Sequence, residues 1–130
     1  VQITFTPSGG SAVTLAGTGR EAAQDFALSF SDQVQGAALA RAAAVTLYNR
    51  GNRGTTLGWS TARSHADQPT AEAFMFSHAA AITSGLTGSL VCTPDGGSAK
   101  TFNGAVVRIS ASRHIGLTTF HTYEAQGTPA

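Results

Sequence analysis

Charged side chains are scarce in this sequence. They make up 12% of its 130 residues, about half the share of an average soluble protein. With a formal net charge of only +1, copies of the chain repel one another weakly, and contacts between subunits are expected. Cysteine is nearly missing. Cys92 stands alone, which excludes an intrachain disulfide and a multi-cysteine zinc site and fits synthesis in a reducing compartment. No apolar run reaches the roughly 18–20 residues of a membrane-spanning helix, and Val1 opens no charged-then-apolar secretory signal, so a soluble chain with no membrane partner is expected. The seven carboxylates are scattered, with no pair placed for glycoside cleavage. The glycine loops match neither the phosphate-binding loop nor the dinucleotide fingerprint, so no cofactor is expected.

An apolar share of 42% and 15 glycines describe a chain that folds and turns often, and its length suits one domain over residues 1–130. Val1 to Thr6 alternates apolar and polar residues, Pro7 to Gly10 is a turn cluster, and Ala12 to Ala16 follows as a short strand; the three read as a hairpin. Phe26, Leu28 and Phe30 alternate with Ala27, Ser29 and Ser31, the pattern of a half-buried strand. Ala37 to Tyr48 mixes helix-favouring alanines with Val45 to Tyr48 and is taken as strand. Thr55, Leu57, Trp59 and Thr61 then share one face of another strand. Three later strands are expected over Ser89–Thr93, Lys100–Ser112 and Leu117–Ala125, with a frayed tail at 127–130.

One helix, about 69–83, interrupts the strands. Pro69 suits a first helical turn and Glu72 places an anion near the positive end of the dipole. Ala71, Phe74, Met75, His78, Ala79 and Ile82 recur at spacings of three and four, which makes an apolar packing face. The order of elements predicts a mainly β fold, a β-sandwich or open barrel with one flanking amphipathic α-helix over an opening or edge.

No constellation reads as a catalytic or metal centre. Ser64, His65 and Asp67 hold the residue types of a hydrolase, but neighbouring positions on a strand point to opposite faces and no glycine elbow surrounds the serine. His65, His78, His114 and His121 lack the spacings that bring two metal ligands together. His78 reads as a packed imidazole, and His121, among threonines, as a residue of an exposed strand face. Cys92 reads as an inert buried thiol. The repeat Asn49-Arg50-Gly51-Asn52-Arg53-Gly54 is taken as the tip of a hairpin, where Arg50 and Arg53 could meet phosphate, acidic sugars or the carboxylates of a neighbouring subunit. Trp59 and Tyr48 are expected in the core; were they exposed with Tyr123, they would form a stacking platform for a carbohydrate- or ligand-binding module.

The segment Tyr48-Asn49-Arg50-Gly51-Asn52 and the strand after it, the Pro69 to Ile82 helix, and the strand Asn103-Gly104-Ala105-Val106-Val107 form an arrangement that resembles small structural proteins of tailed bacteriophages, the tail-tube proteins above all. That resemblance implies a noncatalytic virion component made in the bacterial cytoplasm. Copies would associate side by side into a ring, usually a hexamer, and rings would stack with other virion proteins into a conduit through which DNA passes. A tail terminator, a baseplate component and a capsid-decorating protein are the other roles it implies.

Overall fold

A computed structural model describes residues 1–38, 45–82 and 87–130, and side chains outside residues 30–53. Among the described residues, seven strands and one α-helix follow one another as β1 (Gln2–Pro7), β2 (Val13–Ala16), β3 (Gln24–Ala38), β4 (Val45–Ser64), α1 (Gln68–Ile82), β5 (Gly88–Thr93), β6 (Lys100–Ile115) and β7 (Thr118–Pro129), with a short 3-10 turn at Gly19–Glu21 between β2 and β3. All seven strands belong to one sheet in the order β2-β1-β5-β6-β7-β4-β3, with every described pairing antiparallel. The protein is mainly β with one flanking helix.

The sheet rolls on itself. A guanidinium nitrogen of Arg63, on β4, donates to the carbonyl of Thr14, on β2, at 3.1 Å, although the two strands lie near opposite ends of the strand order. Rolling follows from strand twist, increased by irregular register in β1, β3, β5 and β6. Gly104, with φ of 58°, sits in one such irregularity between Asn103 and Val106, a conformation that costs other residues more. The result is an open barrel made of one sheet, with β2 and β3 as its edges.

Alternation decides what fills it. Ile3, Phe5, Leu15, Leu57, Trp59, Leu90, Val107, Tyr123 and Ala125 all turn inward and are buried in one cluster with Ile82 of α1. Each large aliphatic or aromatic side chain there contributes about 1.5–3 kcal/mol before entropy is counted. On β4 the inward row is Thr55, Leu57, Trp59 and Thr61, as the sequence pattern indicates.

Several expectations are corrected. Asn49 to Gly54 is no hairpin tip: these residues lie inside β4, and Asn49 and Asn52 pair with Val34 and Asp32 of β3. Repeated glycines resemble a turn locally, but the partner strand holds them extended. Of the strand expected over Ala37–Tyr48, Ala37 and Ala38 end β3 and Val45 to Tyr48 begin β4, while 39–44 lie outside the described residues. The tail is not frayed, because Thr128 and Pro129 pair with Asn103 and Phe102 of β6 and the Ala130 amide donates to Thr101. The helix is less amphipathic than its stripe implies. Ala71, His78 and Ile82 are buried, yet the outward face carries Ala73, Ala80, Ala81 and Phe76, the last 79% exposed.

Candidate assembly surfaces and the histidine-lined end of the barrel

The β3–β4 pair is longer than the sheet that supports it. β7 pairs with β4 only from Thr55 to Ser64. Among the described residues, positions 45–53 of β4 are laddered to β3 alone. At about 3.3 Å per residue this makes a two-stranded arm roughly 30 Å long. The backbone of the proposed intersubunit segment, Asn49, Arg50, Gly51, Asn52, Arg53 and Gly54, is therefore part of that arm.

The barrel is unsealed beside the base of the arm. Leu28 pairs with Leu57, so both lie on the inward face, yet Leu57 is fully buried and Leu28 is 46% exposed. Apolar surface on the inward face is thus left exposed at Leu28. At the other end of the seam Arg63 closes the gap through its bond to Thr14. Thr56, Val106, Gln126 and Thr128 line an open groove, next to the ion pair of Arg108 with Glu124.

Under α1 the filling changes character. His78 is buried, its Nε2 2.6 Å from the Tyr123 hydroxyl, and Thr61 also hydrogen-bonds to that hydroxyl. The Phe74 ring stacks on His78 at 4.8 Å and lies 5.6 Å from His121 and 4.9 Å from His65. The Arg63 guanidinium covers it at 4.7 Å. His121 is 2% exposed rather than surface-facing. Its Nδ1 is 3.5 Å from the Ser112 hydroxyl, and its Nε2 has no hydrogen-bond partner among the described residues. Burial, then the neighbouring His121 and the Arg63 charge, bring His78 down to about 4; burial, then Arg63 and His65, bring His121 down to about 4. Both rings are neutral at pH 7.

The other chemical candidates disperse. His65 is held by Thr119 at 2.9 Å, and the Asp67 carboxylate accepts from the Thr70 amide at 2.8 Å as a helix cap. With the carboxylate committed to the cap, Ser64, His65 and Asp67 form no relay. The histidines do converge, against the indication of their spacing, but no group of three or more metal-binding side chains is arranged to hold an ion among the described residues. Cys92 is buried and its thiol is pushed up to about 11 by desolvation, which leaves a poor nucleophile. Trp59 and Tyr123 stack on one another in the core, 2% and 1% exposed, so neither serves a sugar-stacking platform; the side chain of Tyr48 lies outside those described. The sequence reading missed Tyr123 as the anchor of α1 and missed Leu28 as an uncovered position.

No family model matches the chain, and no curated protein matches it either.

Proposed function

We propose that this protein is a noncatalytic structural subunit that assembles with copies of itself, most economically as the ring-forming unit of a phage tail tube. The observation that carries the proposal is the arm. An isolated two-stranded ribbon is marginal in water, so a ribbon about 30 Å long implies another surface to lie on, and a second copy of the chain is always at hand. The uncovered Leu28 beside the arm, the edges left by β2 and β3, and the low net charge favour the same partner. Head-to-tail contacts between unlike surfaces close into a ring when the rotation permits.

The order of elements resembling phage tail proteins turns self-assembly into a specific proposal: rings, six-membered in that family, stacked around a lumen that DNA traverses. A tail terminator or capsid-decorating protein would form rings or clusters that do not stack. Electron microscopy of purified protein at rising concentration, with light scattering on the same samples, tests the reading. Rings and stacked tubes are the expected result. A monodisperse monomer at millimolar concentration would overturn it.

A further inference from the structure

We propose that α1 is an acid-released cover: it closes one end of the barrel through the packed imidazoles of His78 and His121, and protonating these two rings lifts the helix while the strands at the far end stay folded. The proposal rests on the geometry of the contact and is independent of the assembly reading above.

All four histidines of the chain meet this one helix. His78 is on it, His65 and His121 pack their rings against its Phe74, and His114 Nε2 is 3.6 Å from the Glu72 carboxylate. From β4 the contact receives the cation of Arg63, from the residue just past its end the ring of His65, from β7 His121 and Tyr123, and from β6 His114. The acidic groups on the helix side are Glu72, which faces His114, and Asp67, which caps the first turn. Neither His78 nor His121 is paired with a carboxylate among the described residues. A proton placed on either ring therefore meets Arg63 and the other ring, without an anion to offset it. On His121 it also requires two satisfied donors where, among the described residues, one nitrogen has a long contact and the other none.

The direction is fixed by linkage. Both imidazoles bind protons more weakly when packed than when exposed, so their support of α1 is complete above pH 6.5 and is lost as the pH falls toward 4. Locality follows from placement. β1, β2 and β5, with Ile3, Phe5, Leu15 and Leu90, are packed by aliphatic and aromatic contacts that no proton alters, and α1 adds Ile82 to the same cluster. Tyr123 links the two regions, because it touches both His78 and Trp59, the only tryptophan.

Hydrogen exchange of the full chain across pH 7.5 to 4.5, expressed as protection relative to intrinsic rates, reads the event. Protection over 69–82 should fall on the order of tenfold or more per imidazole by pH 5, while β1 and β5 amides hold theirs and Trp59 emission shifts with α1. His121→Phe, which keeps a ring against Phe74, should shrink the acid loss at α1. If that variant fails to fold at pH 7.5, proton NMR of the wild-type imidazoles decides, with two expected to titrate together with the opening. Loss of protection at α1 and β1 in a single transition, or unchanged α1 protection down to pH 4.5, would overturn the proposal.

Discussion

Tyr123 and Gly88 show how single positions hold the two halves of this core. The Tyr123 hydroxyl satisfies His78 and Thr61 at once, while its ring stacks on Trp59 at 5.2 Å. Tyr123→Phe keeps the ring and leaves His78 Nε2 buried without its partner. It should destabilise the protein by about 1–3 kcal/mol, measured by urea unfolding at pH 7.5. Gly88 is needed for a different reason. A Cβ there would lie 2.2 Å from the Thr6 carbonyl and 2.7 Å from Pro7 Cα, both backbone atoms of the paired strand β1. Gly88→Ala must therefore spread β1 from β5 and should cost about 1–3 kcal/mol or more, seen as a lower Tm. Gly104→Ala would meet nothing within 4 Å and would be limited to the strain of its positive φ.

The elements divide into those that carry their own signal and those defined only by partners. β4 from Thr55 to Thr61 was legible because alternation there coincides with burial at every step. α1 was legible from Pro69 and from the three-and-four spacing of Ala71, Phe74, Met75, His78 and Ile82. His121 was misjudged because the parity of β7 is masked by Phe120, an apolar residue on the outward row. The row Thr119, His121, Tyr123, Ala125 contains no charge, whereas the other row contains Glu124, and that contrast was the available clue. The arm and the C-terminal end of β7 had no local signal. Glycine-rich Asn49 to Gly54 and Gly127-Thr128-Pro129 become strands only because β3 and β6 lie beside them. The cap of α1 separates local from acid-dependent effects. Its hydrogen bond to Thr70 holds the Asp67 carboxyl below its ordinary 3.8, so the cap is intact above that value and fails only as the pH drops through the lowered one. Asp67→Ala should consequently raise exchange in the first turn of α1 equally at pH 7 and pH 5, whereas His121→Phe changes α1 only in acid.

For the molecule as a whole, the arm and the seam make separable demands on a partner. Phe30 and Thr55 are register partners at the base of the arm, so residues 31–54 can be replaced by Asn-Gly, a two-residue connection suited to the twist of a hairpin. The shortened chain keeps β1, β2, β5, β6, β7 and the core cluster. Because a lone ribbon adds little stability, its Tm should remain near that of the parent while rings and tubes disappear from light scattering and electron microscopy. Leu28→Lys addresses the seam instead. At 46% exposure a lysine can snorkel to water, so the monomer should tolerate it, but a strand laid along β3 from another copy would have to bury the charge. Assembly should then require a higher protein concentration without vanishing. If the shortened chain still forms tubes and Leu28→Lys abolishes them, the seam and not the arm joins the subunits; if neither variant changes assembly, the contacts lie on the outer face around Thr56, Val106 and Gln126.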